Sequence, residues 1–336
     1  MNFKPTIIAT DKEHLQDIIL QEILDHGYNC DLNHIDVSGI TDMSSLLNAR
    51  RDFRGQNINL LKFNGFIDQW NVANVVNMER MFHKTQFNGD ISNWDVSRVT
   101  NMRLLFADSP FNGDISAWNT SRVEDMCSTF AVSVFKGDIS QWGVSRVQNM
   151  NSMFSESCFN GDLSRWDVAN VKEMSYMFYA SEFDGDISAW NTSKVENMGW
   201  MFSNSTFNGA VSKWNVSACG RFIGMFEDSP FHGDVSGWAV RLNAQVENFW
   251  TCTPEKVFKE VNVYHWYLAL KDQDFFSQLP SKVQEHFNAY GPFMRTMASS
   301  DDEAAIMLHN GWIKNMHPSL SIEALNLGID FNDANI

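Results

Sequence analysis

A carboxylate that recurs every 24 residues is the first feature of this chain that could carry chemistry. The residues concerned are Asp90, Asp114, Asp138, Asp162, Asp186 and Asp234. On stacked repeats such carboxylates would lie about 5 Å apart, and neighbours would repel by roughly 0.8 kcal/mol in water. The row could bind cations or a basic partner. A structural role is favoured instead, in which each Asp accepts N–H groups of a turn and a basic column partly offsets the charge. That basic column comprises Arg98, Arg122, Arg146 and Lys194.

Serines recur with the same period and are the only array that resembles a set of nucleophiles. They are Ser92, Ser116, Ser140, Ser164, Ser188, Ser212 and Ser236. No His or Lys recurs at a fixed offset from them, so a general base is missing. We expect their hydroxyls to bond to the backbone along the stack. Paired carboxylates, a nucleophile–base pair and a phosphate loop are also missing, so the sequence predicts that the protein is not an enzyme.

Metal and cofactor sites are not expected either. The five cysteines include no CxxC pair, so neither a disulfide framework nor a zinc site is indicated. The histidines near the C-terminus lack the spacing of metal ligands and are interpreted as surface or packing residues.

The element that must position all these side chains is a 24-residue repeat, present in eight consecutive copies over residues 63–254. Its consensus is F-N-G-D-I-S-x-W-x-V-S-x-V-x-N-M-x-x-M-F-x-x-S-x. A unit of this length cannot bury its own Trp and two Phe, so it must stack on its neighbours. The aromatic columns then become ladders inside the stack and dominate its stability.

Each segment of the unit predicts a local structure. The Asn-Gly pair, as at Gly89, indicates a turn with positive φ. Residues 91–96 are rich in β-branched and aromatic residues and predict a short strand. Ser97 suits a helix N-cap, and apolar residues at i, i+3 and i+7 over residues 99–106 predict a helix of about two turns.

The ends of the chain predict caps on the stack. Residues 1–34 form an N-terminal helical cap, with a helix at 11–26 that ends at Gly27. Residues 35–62 comprise a degenerate first coil and an inserted loop. Residues 255–336 begin with a Thr-Pro helix start and predict a C-terminal helical domain.

Departures from the consensus are candidate partner contacts. Phe66 replaces the recurring Asp in the first full unit, and Trp200 occupies a position that is usually small and polar. Arg50, Arg51 and Arg54 form the basic cluster of the inserted loop. An exposed aromatic residue marks a contact site when it is not covered by an adjacent loop.

The formal net charge of −16 argues against direct nucleic-acid binding, since phosphate recognition needs clustered Lys and Arg. It permits a basic protein partner. No transmembrane helix, signal peptide or anchor is recognised, which predicts a cytoplasmic protein. Display at the cell surface by an unrecognised route is the alternative. The oligomeric state stays open.

The unit FNGDISNWDVSRVTNMRLLF closely resembles the repeat of the BspA-type leucine-rich-repeat surface proteins, which also occurs in many Mycoplasma lipoproteins. The preceding segment IDVSGITDMSSLL resembles the way such arrays open, and the resemblance covers residues 35–254. It implies a right-handed α/β solenoid of strand–short-helix coils with a parallel sheet, and a role in protein or host-surface binding. It implies no catalytic residues.

Three functions follow from these features. The first is a non-enzymatic protein-binding scaffold inside a cell, such as an inhibitor, effector or accessory protein. It would act through its acidic repeat surface and its C-terminal helical domain. A cell-surface adhesin of the BspA type and an acidic mimic that blocks a nucleic-acid-binding protein are the alternatives.

Overall fold

The computed structural model describes residues 6–48 and 50–231, and the single positions 233, 235, 238, 244, 245 and 249. The predicted helical domain at 255–336 lies outside the described residues, as does Asp234.

An N-terminal helix covers the start of the described chain. Helix α1 (Lys12–His26) begins after Asp11, whose carboxylate accepts the His14 N–H at 2.8 Å, and it ends at Gly27, where φ is +84°. The side chains that this helix buries are Leu15, Gln16, Ile19, Leu20 and Ile23. The predicted helix is therefore confirmed. Strand β1 (Ile7–Ile8) pairs in parallel with β2 (Ile35–Asp36).

The predicted inserted loop is a β-hairpin. Strands β3 (Arg50–Phe53) and β4 (Gln56–Asn59) pair antiparallel, and a short 3₁₀ helix (Leu60–Lys62) follows. The turn residues Arg54 and Gly55 both have positive φ, at 52° and 78°. This is the conformation that two-residue hairpin turns require, because its twist matches that of the strands.

The repeat units are joined by parallel bridges between residues 24 positions apart. The bridges run through Asn77, Asn101, Asp125, Asn149, Glu173, Asn197, Arg221 and Gln245. An earlier bridge joins Asp42 to Asn77, 35 positions on, because the hairpin is inserted between them. The degenerate first unit therefore stacks on the first full unit.

The predicted short helix is wrong in the units whose backbone the structure describes. In the segment that was expected to be helical, alternate backbone N–H groups donate to carbonyl oxygens of the following unit. Met102 donates to Asp125 at 2.9 Å, and Leu104 donates to Cys127 at 2.8 Å. These N–H groups are unavailable for the i−4 bonds of a helix. The apolar i, i+3, i+7 pattern arises because a chain of turns also directs these side chains inward.

The turns in this segment use left-handed backbone at two positions of each unit. One column comprises Arg80, Leu104, Ser128, Ser152, Tyr176, Trp200 and Gly224. The other comprises Lys84, Asp108, Val132, Glu156, Ala180, Asn204 and Asp228. The N–H of Leu105 donates to the Met102 carbonyl at 3.1 Å, so Leu104 is the third residue of a type II turn. A non-glycine residue there costs about 1–2 kcal/mol, which the bonds between units offset.

This strain predicts opposite effects for one substitution at two exposed alanines. Ala180 has φ of +49°, whereas Ala117 is not left-handed. Ala117→Gly should destabilise by about 0.5–1 kcal/mol, because glycine loses more chain entropy on folding. The stability of the Ala180→Gly variant relative to wild type should be about 1–2 kcal/mol higher than that of Ala117→Gly, because glycine relieves the cost of left-handed backbone. Urea unfolding of both variants measures the difference, and equal losses would contradict the left-handed assignment.

The predicted strand at residues 91–96 is also wrong. That segment contains a turn, in which the Trp94 N–H donates to the Ile91 carbonyl at 3.2 Å. Apart from the bridge between Asp31 and Phe66, the described parallel bridges between units lie at the Asn101 column, inside the segment that was predicted to be helical. The strand-like residues of the unit are apolar because they face the core.

The core consists of three aromatic ladders, as the repeat predicts. Phe63 begins a ladder in which successive rings lie 6.2–6.4 Å apart, and Phe82 begins one with spacings of 5.4–5.8 Å. Trp70 begins the third. Each ladder Trp also donates its indole N–H, at 2.9–3.1 Å, to a carbonyl oxygen of the preceding unit. The ladders therefore fix the register of the units as well as burying apolar area.

The recurring Asn-Gly pair does not supply positive φ. Among the described glycines, only Gly27, Gly55 and Gly224 have it. The Asn of the pair links units instead, as where the Asn112 N–H donates to Asn88 Oδ1 at 2.9 Å. The Gly is needed for space, because a Cβ at Gly137 would lie 2.7 Å from the ring of Phe135.

Gly137→Ala should therefore destabilise the protein by about 1–3 kcal/mol through overpacking. The Phe135 ring cannot move away easily, because it is fully buried and stacks 4.3 Å from Phe130. Gly220→Ala is the matched control, since a Cβ there meets nothing within 4 Å. It should be neutral or slightly stabilising. Denaturant unfolding compares the two, and a tolerated alanine at position 137 would refute the steric explanation.

Candidate interaction surface

The recurring Asp side chains are exposed, and each described one has a local partner. Each carboxylate accepts the backbone N–H of the Ser two residues later at 2.9 Å. The residues that make this bond are Asp90, Asp114, Asp138, Asp162 and Asp186. At Asp138 the N–H and then the hydroxyl of Ser140 lower the pKa of the carboxyl, and they outweigh the neighbouring carboxylates, which raise it. The favoured structural role of this column is thus supported by its geometry.

The recurring serines serve the same turns. The hydroxyls of Ser116, Ser140, Ser164 and Ser188 lie close enough to the preceding Asp to lower the pKa of its carboxyl. Their backbone N–H groups bond to that carboxylate, and the expected bonding of the hydroxyls along the stack is not seen among the described residues.

The basic column does not face the Asp column. Arg98 donates to Asn74 Oδ1 at 2.8 Å, and Lys194 donates to Asn170 Oδ1 at 2.6 Å. Each bond joins a cation to the preceding unit. The expected offset of the Asp charges by these cations is therefore not seen, because the asparagine carbonyls hold them in place.

The candidate contacts of the N-terminal end lie apart from Trp200, which belongs to the sixth full unit. Phe66 is 60% exposed, and its backbone N–H donates to the Cys30 carbonyl at 3.0 Å. Arg51 donates to Gln16 at 3.2 Å, and the Arg54 guanidinium lies 5.3 Å from the centre of the Phe53 ring. Arg50 lies in strand β3.

Trp200 is half-buried and belongs to a cluster of surface rings. It stacks on Tyr176, with ring centres 5.0 Å apart and planes 10° from parallel. Tyr179 meets Tyr176 nearly edge-on, at 5.6 Å and 70°. The Glu227 carboxylate lies beside the Trp200 indole, because both approach the same point next to Gly224. We call Tyr176, Tyr179, Trp200 and Glu227 the aromatic patch.

A glycine completes this cluster. A Cβ at Gly224 would lie 2.5 Å from Cδ1 and Nε1 of Trp200 and 2.9 Å from Oε2 of Glu227. The indole therefore leans into space that any side chain would fill. Gly224 is also left-handed, with φ of +59°, so glycine suits the position for two reasons.

The patch is electrostatically acidic. Burial and then the charge of Asp228 raise the pKa of Glu227, although the neighbouring Trp200 indole lowers it. Burial, Tyr179 and Glu227 raise the pKa of Tyr176, which keeps this phenol neutral. The Glu227 carboxylate is thus disfavoured by burial and by Asp228, so a bound cation would stabilise it.

Sequence reasoning identified Trp200 and missed the rest of the patch. Tyr176 stands 24 positions before Trp200, and that spacing alone could have paired them. The helix prediction concealed this, because it assigned these residues to helix turns instead of to adjacent stacked positions.

The two left-handed columns together form a variable face. Their side chains are mostly exposed or half-buried, and they differ from unit to unit among basic, acidic, aliphatic, aromatic and small residues. The Asp column is comparably exposed but carries Asp in five consecutive units, from Asp90 to Asp186. The turn bonds of its carboxylates account for this uniformity.

Stacked 24-residue units with shared ladders define a repeat protein. The family model described as "Mycoplasma protein of unknown function, DUF285" matches residues 20–133, 57–158, 108–206 and 157–266. These matches overlap and together cover most of the chain, so the chain belongs to this family. No curated protein and no solved structure matches it.

Two further properties concern the described residues only. No helix among them has the length and apolar character that crossing a membrane requires. In the same part of the chain, His, Cys, Asp and Glu form no group of three or more that could hold a metal ion.

Proposed function

We propose that the protein is a non-enzymatic protein-binding scaffold whose contact surface is the variable face. The observation that carries the proposal is the contrast between a core that repeats in every described unit and the exposed left-handed columns, whose pair of residues differs in each of those units. Repeat proteins present extended surfaces of this kind to their partners. The Asp column, with its carboxylates engaged in turns, becomes a structural element of the scaffold.

We further propose that the stack is a right-handed solenoid of the BspA leucine-rich-repeat type. The parallel bridges between units and the resemblance of the repeat support this. A crystal structure of residues 1–254 would show the handedness directly, and a left-handed coil would exclude the relationship.

Affinity capture with the full chain tests the scaffold proposal. Leu104→Ser and Val132→Asp change the variable face to residues that the same columns carry at Ser128 and Asp108. These swaps should reduce the capture of a stoichiometric partner at least about 10-fold. Asp114→Asn combined with Asp138→Asn is the control and should leave capture unchanged. If the control abolishes capture and the swaps do not, the contact surface is the Asp column instead.

We favour an intracellular role, as an inhibitor, effector or accessory protein. Fractionation of the native protein tests this form of the proposal. Recovery at the cell surface would favour the adhesin. The net charge of −16 supports a second candidate, the acidic mimic. Binding to a DNA-binding protein that weakens steeply with salt and competes with DNA would establish it.

A further inference from the structure

We infer that the aromatic patch binds a cationic side chain, Arg or Lys, of the partner protein. This inference rests on the proposed function and names the chemistry of one contact on the variable face. It assigns a role to Tyr176, Tyr179 and Glu227 as well as to Trp200.

The rings form an open corner that suits a cation. Tyr176 and Tyr179 stand 70° apart, so they provide two walls. Trp200 covers one face of Tyr176, and the column neighbour on the other side is Ser152, which is too small to cover the ring. A cation within about 6 Å of such a ring face gains roughly 0.5–2 kcal/mol.

The carboxylates around the corner supply the complementary charge. Glu227 lies beside Trp200, and Asp228 follows it in the chain. The N–H of Glu156 donates to the Tyr179 carbonyl at 2.7 Å, so a third acidic residue borders the patch. None of the ion pairs found within residues 6–231 involves Glu156, Glu227 or Asp228.

Sugars also stack on aromatic rings, but the polar groups here favour a cation. A neutral sugar could donate hydroxyls to the carboxylates but gains no charge attraction, whereas a cation is attracted by all three acidic residues at the patch, Glu156, Glu227 and Asp228. The corner is also open to solvent. A small free cation there would keep most of its hydration and would gain little from binding. A basic residue held by a longer segment along the variable face gains more, because neighbouring contacts order it.

Nuclear magnetic resonance of the ¹⁵N-labelled full chain tests the inference through the Trp200 indole signal. The probe is a glycine-flanked peptide with two arginines, and its citrulline counterpart is the neutral control peptide. The arginine peptide should shift the Trp200 signal and the citrulline peptide should not. Glu227→Gln keeps an oxygen acceptor beside the indole and removes the charge, so it should weaken binding about 3- to 10-fold. Tyr176→Ser, which installs the residue found at Ser152, should weaken it similarly.

Glu124→Gln is the matched control, because Glu124 is an exposed carboxylate of the third unit. If it weakens binding as much as Glu227→Gln does, the peptide senses only the overall negative charge and the inference is wrong. A Trp200 shift caused by a neutral oligosaccharide but not by the arginine peptide would also overturn it.

The outcome is separable from that of the scaffold proposal. If the arginine peptide leaves Trp200 unchanged while the Leu104 and Val132 swaps still abolish capture, this inference fails and the scaffold proposal stands. If the peptide binds at the patch and the swaps leave capture unchanged, the scaffold proposal fails in its choice of surface.

Discussion

Trp142→Ala should lower the free energy of unfolding by about 3–5 kcal/mol, the range for removing a large buried aromatic side chain. Trp142 is almost completely buried in the fourth unit. Its indole ring stacks on Trp118 at 6.3 Å and lies 5.9 Å from Phe130, and its N–H donates to the Ile115 carbonyl at 3.1 Å. The substitution therefore removes ring packing and a bond to the preceding unit together.

The central position should increase the effect beyond that of a local cavity. Stability in a stacked repeat is close to a sum of unit and interface contributions, so a defect in the middle weakens two interfaces. We expect the unfolding transition to broaden as the two halves become less coupled, which would appear as a lower denaturant m-value.

Two variants separate the contributions. Trp142→Phe keeps a ring but loses the indole bond, which is worth about 0.5–1.5 kcal/mol, because the Ile115 carbonyl retains the Trp118 N–H. Trp200→Ala is the control for the same change outside the ladders and should lose about 1 kcal/mol. Guanidinium unfolding monitored by circular dichroism gives all three values. A loss for Trp142→Ala no larger than that for Trp200→Ala would contradict the ladder as the main source of stability.

The ladders could be predicted from sequence because burial needs only residue type and period. Phe63, Phe82 and Trp70 each begin a column of large aromatic residues, and a unit of 24 residues has no other place to bury them. The same reasoning identified the N-terminal helix, since Asp11 and Gly27 are ordinary helix boundaries.

The path of the backbone between the ladders could not be predicted from the same pattern. In a sequence, Gly or Asn normally marks a left-handed turn, but here Leu104, Val132 and Trp200 occupy such positions. The turns persist because the N–H groups of these left-handed residues themselves donate to carbonyl oxygens of the next unit, a non-local cause that a single unit does not display. The recurring Gly predicted positive φ where there is none, because its role is to leave space for the neighbouring Phe ring.

The candidate contact residues also divide into those that the sequence could identify and those that only the stacked structure shows. Trp200 could be identified because its ring is the largest side chain in its column, where Ser128, Ser152 and Gly224 are small. Glu227 could not, because its importance depends on its place beside the indole and on the missing side chain at Gly224. Such relations exist only between stacked units, so they require the register that the structure provides.

Acid should destabilise the protein as the pH falls below about 3.8, the ordinary pKa of an Asp carboxyl. Turn bonds lower the pKa of Asp114, Asp138 and Asp186, with the Ser N–H as the larger cause and the Ser hydroxyl as the smaller. At Asp162 the order of the two causes is reversed. A group whose pKa is lowered by folding contributes stability above its unfolded pKa and loses it as the pH falls through the folded value. Because these groups recur along the stack, their losses accumulate in the same pH range.

Replacement of these four Asp residues by Asn should make the acid dependence shallower without undoing the turns. An Asn side-chain oxygen can accept the same N–H bond but does not titrate. The chain already uses this exchange in a neighbouring column, where Asp95 accepts the Ser97 N–H at 3.0 Å and Asn119 accepts the Ser121 N–H at 3.2 Å. Thermal melting from about pH 6 to about pH 2.5 measures the dependence for both proteins. Identical pH profiles would show that the Asp column contributes nothing to acid sensitivity. A quadruple variant that fails to fold at neutral pH would show that the charge itself, and not the turn bond, is what the column supplies.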